Sequence, residues 1–514
     1  MRGYRVLKKS GRIGQITCVK QALTERSLGI QKKDFSFLVM GAGVVFSELI
    51  VRQYLLVLFG GLDLNRALLI ASAHGSGKVV FPIPGEWRNV LIEHGFKVAR
   101  IRSAFLWGCY IFYYLIYGVF KSCKVIVTGA LSGTQAGDTA TCYAYFDGLS
   151  TGNIPQPQKE SHDVISWYEN WQGRNTEIAV IRHGVSNSLP TITGTIPVCY
   201  QRNPFPPLSG FLPLSSYFFW ALKACFIALY DVFFGRWWHA LLLNQAALAA
   251  QVRYLPAFSI AREYLFHNSN WIWRPLWTYE AEQKGSSVLF YFYSTNCEGF
   301  KRSDGYPPIP FGWKTMNWSR YLVWDEYQAD FVKRVVGEKS NISVVGEIWF
   351  SDTPKEALKL PEGSIAVFDV QPVRSSYYVT LGLDFEYYTP LTALQFLEDV
   401  QVVLSEHNCL LALKRKRHIG KLADAQYRNY IDQLGRMNNF VAVDPDINAS
   451  LLVRECKAVI SMPYTSTALL GRNLGKPSIY YDPKGLLQKD DRAAHGIEIV
   501  QGREELARWL KDIL

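Results

Sequence analysis

From Ser364 to Tyr481 the chain repeats one pattern, in which a short apolar run is followed by a loop, a helical stretch and another apolar run. The runs Ser364–Phe368, Leu410–Lys414, Phe440–Val443, Ala458–Met462 and Ser478–Tyr481 read as strands. Between them, Pro390–Ser405 reads as a helix, because Leu391, Leu394, Leu397, Val400 and Leu404 recur three or four residues apart. Ala423–Leu434, Ala449–Cys456 and Ser466–Leu474 read as further helices. Strands alternating with helices require a mainly parallel, doubly wound sheet. Ligands of such sheets bind beyond the carboxyl ends of the strands, so the residues just after each strand are the informative ones.

The chain has 514 residues, more than one hydrophobic core usually supports. Its first half also alternates, with candidate strands Ser36–Met40, Val79–Pro82, Val98–Ile101, Lys124–Thr128 and Ile178–Arg182. A helix over Glu86–His94 ends at Gly95 as a C-cap should. The expected fold is therefore α/β, with two Rossmann-like lobes and a cleft between them. Residues 1–285 form an N-terminal, acceptor-side lobe. Residues 286–485, opening with the strands Val288–Tyr293, Arg320–Val323 and Ile342–Val345, form a donor-binding lobe. Residues 486–514 carry a last helix, Glu504–Ile513, that packs back toward the N-terminal lobe.

Two aromatic-rich stretches stand apart. Phe105–Phe120 is almost uniformly apolar but shorter than the ~20 residues a helix needs to span hydrocarbon. Tyr217–Trp238 is interrupted by Lys223, Asp231 and Arg236, and its Trp and Tyr content suits a helix lying in the membrane interface. Both also fit as core helices. The loop Asn203–Pro213 leads into the second stretch. The basic start, Met1 to Ser10, is not followed by the apolar region of a signal peptide. Nine irregularly spaced cysteines suggest neither a disulfide framework nor a zinc site. The expected location is cytoplasmic, with a peripheral contact on the inner membrane.

A formal net charge of +11 favours phosphate-rich or anionic partners. Nucleic acid is not expected, since zinc-finger spacing, a basic tail and an aromatic RNA-binding motif are all lacking. After Leu410–Leu413 come Lys414, Arg415, Lys416, Arg417 and His418. Four consecutive cations at a strand end repel one another unless an anion lies nearby, and a diphosphate supplies one. After Ala458–Met462 come Pro463, Tyr464, Thr465, Ser466 and Thr467 at a helix start. Hydroxyls and free amides there suit a phosphate, though plain capping also uses them. Asp482, before Pro483, is placed to touch a ribose or base, or to close a turn. Lys414, Lys416, Arg417, Ser461, Thr465, Ser466, Thr467 and Asp482 are thus the donor- and phosphate-binding candidates.

The block SMPYTSTALLGRNLGKPSIYYDP, preceded by LVRECKAVI, resembles the donor-binding segment of bacterial surface-polysaccharide glycosyltransferases of the GT-B fold. Surface carbohydrate biosynthesis proteins are the nearest in kind. Transferases of CMP-activated Kdo and sialic acids are more distantly similar, and Lys414–His418 occupies their basic-loop position without their His-Pro pair. The pieces VFDVQPVR (Val367–Arg374) and FPIPGEWRNVLIEHGF (Phe81–Phe96) also look family-like. The resemblance implies a nucleotide-sugar co-substrate, a glycan or lipid-linked acceptor, and no resident cofactor.

Group transfer needs a base for the acceptor hydroxyl and a counter-charge for the departing phosphate. His74, Glu86 and Asp147 are the N-terminal candidates for the base. No metal is expected: the Asp444-Pro445-Asp446 triplet reads as a turn and cap, and no other cluster has ligand spacing. His74–Lys78 has the outline of a phosphate loop but lacks its first Gly and final Ser or Thr. Two other functions suit the same pattern. One is a teichoic-acid-type polymerase moving polyol phosphate from a CDP donor, a class that typically works with cleft histidines. The other is a non-catalytic nucleotide- or glycan-binding scaffold.

Overall fold

The computed structural model describes residues 2–12, 14–26, 38–41, 43–59, 62–74, 77–132, 142–155, 164–172, 177–186, 190–193, 195–269, 273–310, 312–348, 358–373 and 387–514. Two sheets organise them. The first contains β1 (Tyr143–Phe146), β2 (Val180–His183), β3 (Thr191–Thr193), β4 (Ile196–Tyr200), β5 (Glu263–His267), β6 (Ser287–Tyr291), β7 (Arg320–Val323) and β8 (Ile342–Val344). Its order is β3-β4-β2-β1-β5-β6-β7-β8, parallel throughout except for the β3–β4 pair. The second contains β9 (Ile365–Phe368), β10 (Leu411–Lys414), β11 (Phe440–Val443), β12 (Ala458–Ser461), β13 (Ser478–Asp482) and β14 (Glu498–Gln501). Its order is β11-β10-β9-β12-β13-β14, all parallel. The chain thus forms two Rossmann-like α/β lobes, the expected fold class.

The second sheet shows why its strands were legible. Along β9, Ile365 and Val367 join the core beneath helix Pro390–Glu406. Ala366 and Phe368 join the opposite core, with Leu452 and Val453 of helix Ala449–Glu455. A strand covered on both faces must be apolar at every position. Four helices carry side-chain N-caps at Asp325, Thr389, Asp424 and Asn448, which mark their starts sharply.

Several expectations are corrected. The boundary at 285/286 falls inside the first sheet, because β6, β7 and β8 continue it from β5. The last helix, Gly502–Ile513, packs on helix Pro390–Glu406 of its own lobe rather than across to the other. Lys124–Thr128 is not a strand but part of the 32-residue helix Arg100–Leu131. Its β-branched run is overruled by packing, since Trp107, Ile111, Leu115, Gly118, Ser122, Val125 and Gly129 are buried at helical spacing. Phe105–Phe120 belongs to that helix, which is longer than the apolar run suggested, and the second stretch forms helix Phe211–Phe233. Val79–Pro82 and Val98–Ile101 amount to one bridge between Val79 and Val98. Of Ser36–Met40, the first two residues lie outside the described residues and the rest form a turn.

The lobes meet through the carboxyl ends of their strands. Beyond β6, Phe300 packs its ring on Tyr387, Tyr388 and Tyr464. Glu298 accepts from Arg334 at 2.8 Å and from Arg492 at 3.0 Å. The backbone N–H of Lys301 donates to Asp491 at 2.8 Å. Beyond β7, Asp325 takes His495 Nδ1 at 2.7 Å. Carboxyl edge therefore faces carboxyl edge.

Candidate active site at the facing strand ends

In the second sheet the chain starts at β9, steps outward to β10 and β11, then returns to β12 on the other side. The crevice between the ends of β9 and β12 is the topological switch point, where open α/β sheets bind ligands. Asp369 follows one strand there and Ser461 ends the other. Ser461 Oγ lies 2.9 Å from Thr467 Oγ1, which lies 3.1 Å from Thr465 Oγ1. Thr465 in turn donates to the Met462 carbonyl at 3.0 Å. Ser466 stands at the N-cap of helix Thr467–Asn473 without capping it, and its hydroxyl has no partner among the described residues. The three other hydroxyls bind one another instead of capping.

Asp369 is buried, and one of its oxygens accepts the Tyr427 hydroxyl. Its other oxygen has no partner among the described residues. Burial raises its pKa to about 6, against the Tyr427 hydrogen bond and the Arg415 charge, which pull it down. Arg415 likewise keeps a buried guanidinium nitrogen with no partner among the described residues. Lys414 is buried, donates to the Pro445 carbonyl at 3.0 Å, and has its pKa lowered by desolvation. Lys416 is exposed at its surface, yet desolvation and then the Arg417 charge lower its pKa too, as in a recess. Arg417 acts electrostatically on Tyr293 of the other lobe, so the basic loop faces the first sheet.

The first sheet has its own switch point, between β1 and β5. Asp147 follows β1 directly, half-buried, with its N–H donating to the Leu265 carbonyl at 3.0 Å. His267 ends β5, and its Nε2 donates to the Gly148 carbonyl at 3.2 Å. That bond fixes the tautomer and leaves Nδ1 as a buried acceptor with no partner among the described residues. The imidazole lies 5.4 Å from the Tyr291 ring and 6.0 Å from that of Tyr293. Asp147, His267 and Tyr293 therefore lie together at the carboxyl end of the first sheet, on the side from which the Arg417 charge is felt.

His183, ending β2, is the second histidine of this edge. Its Nδ1 accepts from the Val185 N–H at 3.2 Å, leaving Nε2–H buried with no partner among the described residues. Desolvation lowers the pKa of His183 to about 4 and that of His267 below its ordinary value. Both rings stay neutral at pH 7 and do not serve as phosphate cations. The unfolded chain takes up these protons near pH 6.5. For His183 that stability is complete above pH 6.5 and is lost as pH falls from there toward about 4, by up to ~1.4 kcal/mol per pH unit, and the lowered pKa of His267 acts in the same direction. His183→Asn keeps an acceptor for Val185 and removes the titration. Its melting temperature should fall less steeply below pH 6.5 than that of the wild type.

Not every candidate reaches these edges. His74 follows helix Leu62–Ala73 and Glu86 lies in the first turn of helix Gly85–Glu93, both exposed and on helices packed against other helices, not at strand ends. Asp482 ends β13 but turns inward, accepting from the Tyr387 hydroxyl and from the N–H groups of Lys484 and Leu487. Asp444 caps its own turn, accepting from the Asp446 N–H at 2.8 Å, while Asn448 caps the next helix. His418, Asp444 and Asp446, all exposed, each offer a ligand atom within 4.8 Å of the others. Asp369, His267 and Tyr293 escape the sequence reading, and Arg415 enters it only as one of the four consecutive cations. An acid following a buried strand could have flagged Asp369, whereas His267 was hidden because β5 was not recognised.

A family model described as polysaccharide biosynthesis PFTS motif protein matches residues 220–510. Among solved structures, the chain is similar to the glycotransferase of kitacinnamycin, at 11% identity and a TM-score of 0.38, covering 73% of this chain and 91% of that one. It is also similar to UDP-GlcNAc 2-epimerase from Methanocaldococcus jannaschii, at 9% identity and a TM-score of 0.39, covering 72% and 91%. The wall teichoic acid polymerase TagF is another, at 11% identity and a TM-score of 0.38, covering 79% and 88%. No curated protein matches.

Proposed function

Because the chain belongs to the family of polysaccharide biosynthesis PFTS motif proteins, we propose that it is a glycosyltransferase moving a sugar from a nucleotide-activated donor to a growing surface glycan. One observation carries the reading. Two switch points face each other across the lobes, one with a carboxylate and the other with hydroxyls and a cationic loop. The run Pro463-Tyr464-Thr465-Ser466, at the second of those points, differs from the letters P-F-T-S of the family's description only by Tyr in place of Phe.

In this reading Asp147 takes the proton of the acceptor hydroxyl. The acceptor oxygen forms a bond to the anomeric carbon as the bond from that carbon to the donor phosphate breaks. Lys416, Arg417 and the Ser466 hydroxyl receive the charge left on the phosphate, with Arg415 behind them. His267 is a positioning residue: its bond to the Gly148 carbonyl holds the turn that carries Asp147. Tyr293 offers a ring on which a sugar face packs. The cations do the work a metal does elsewhere. Nine free thiols suit a reducing, cytoplasmic setting.

The histidines at the first sheet's edge favour keeping a second reading, transfer of a polyol phosphate from a CDP donor. Thermal shift with CMP-, CDP-, UDP- and GDP-linked sugars and with CDP-glycerol separates them. Selective stabilisation by a nucleotide sugar, unchanged by EDTA, is expected. A response to CDP-glycerol alone selects the second reading, and no response to any nucleotide leaves a scaffold. Loss of the response in EDTA would overturn the metal-free assignment and point to His418, Asp444 and Asp446.

A further inference from the structure

We propose that helices Arg100–Leu131 and Phe211–Phe233 form one docking face that seats the protein flat on an anionic lipid bilayer. The two helices touch each other, and both pack on the buried helix Trp238–Tyr254. Along the first, Trp107 meets Trp237 at 5.4 Å. A Cβ at Gly118 would come within 2.6 Å of Leu243, and one at Gly129 within 2.3 Å of the Leu208 carbonyl. On the second, the Tyr217 hydroxyl donates to the Ala247 carbonyl, and Asp231 holds Arg236 and His239. Each helix is therefore fastened to the lobe near both ends.

Fastening of that kind decides the topology. A helix of 32 residues is ~48 Å long, beyond the ~30 Å of a hydrocarbon core, and a crossing helix would have to leave the lobe it is bound to. Yet neither is a core helix, because only 28% of the most apolar stretch of each is buried. What remains outward is a stripe at seven- or eight-residue spacing: Phe105, Phe112 and Phe120 on one helix, Phe219, Phe226 and Phe233 on the other. All six are between 56% and 86% exposed. Adjacent apolar stripes of this extent are a binding surface rather than scattered exposure.

Charge selects the occupant. The first helix has no acidic residue, and the second has only Asp231, which is buried and paired. The exposed charges are all cations, among them Arg100, Arg102, Lys124 and Lys223. A second copy docking by twofold symmetry would set these cations against themselves. Anionic headgroups neutralise them while the aromatic rings enter the interface.

The test is flotation of the full chain with vesicles of phosphatidylcholine, or of phosphatidylcholine and phosphatidylglycerol in equal parts. The wild type should float with the anionic vesicles. Phe219→Glu with Phe226→Glu should lower the bound fraction about tenfold, since charges on a lipid-facing surface oppose insertion. Arg102→Ala with Lys124→Ala should remove the preference for phosphatidylglycerol. An unchanged melting temperature shows that the variants fold; should the glutamate pair misfold, Phe226→Ser provides the milder replacement. No flotation of the wild type, flotation indifferent to these changes, or a lipid-free dimer that the glutamate pair dissociates would each overturn the proposal.

Discussion

Asp147→Asn should lower the transfer rate by about 10²–10⁴-fold, the usual contribution of a positioned general base. Asn keeps the shape of the side chain and the backbone bond to the Leu265 carbonyl, so the turn and the sheet edge survive. The measurement is single-turnover transfer at saturating donor, beside a thermal shift with the same nucleotide. Loss of rate with an unchanged shift identifies the carboxylate as acting on the acceptor. Loss of both would mean that Asp147 shapes the lobe, and an unchanged rate would remove it from the chemistry. His267→Gln separates support from chemistry, because the amide can still reach the Gly148 carbonyl and should retain most of the rate.

The second large effect concerns the loop after β10. Lys416→Ala and Arg417→Ala should each weaken nucleotide binding about tenfold or more, since a hydrogen bond to a charged group contributes ~1.5–3 kcal/mol. The weakening should shrink as salt rises, because both groups are exposed. Lys414→Ala is expected to behave differently. Its ammonium is buried on the Pro445 carbonyl, so its removal should destabilise the β10–β11 edge. Nucleotide affinity indifferent to both Lys416 and Arg417 would displace the donor site from this loop.

These variants also mark where sequence reasoning succeeded. The second lobe was legible because its inner strands are covered on both faces, so that runs such as Ile365–Phe368 carry no polar interruption. In the first lobe the strands hide in aromatic company. Tyr143–Phe146 and Glu263–His267 mix rings with polar ends, and they resemble the loops around them. Lys124–Thr128 looks more like a strand than either, yet its place against the buried helix makes it helical. Consequently Asp147 stands out in the sequence by its loop, whereas His267, at the end of β5, does not. Asp482 shows the reverse failure. Position after a strand was readable, but the direction of its side chain was decided by Tyr387, 95 residues away.

The row of hydroxyls at the second switch point has a direction. Each hydroxyl owns one proton, and Thr465 spends its proton on the Met462 carbonyl, which can only accept. Thr467 must then give its proton to Thr465, and Ser461 its proton to Thr467. The relay runs one way, and Thr465 at its end can change acceptor without reversing the other two. A phosphate oxygen arriving there would replace a carbonyl rather than add a bond, so removing the Thr467 hydroxyl, as in Thr467→Val, would be felt at Thr465. Ser466, outside the relay, has a proton still to give.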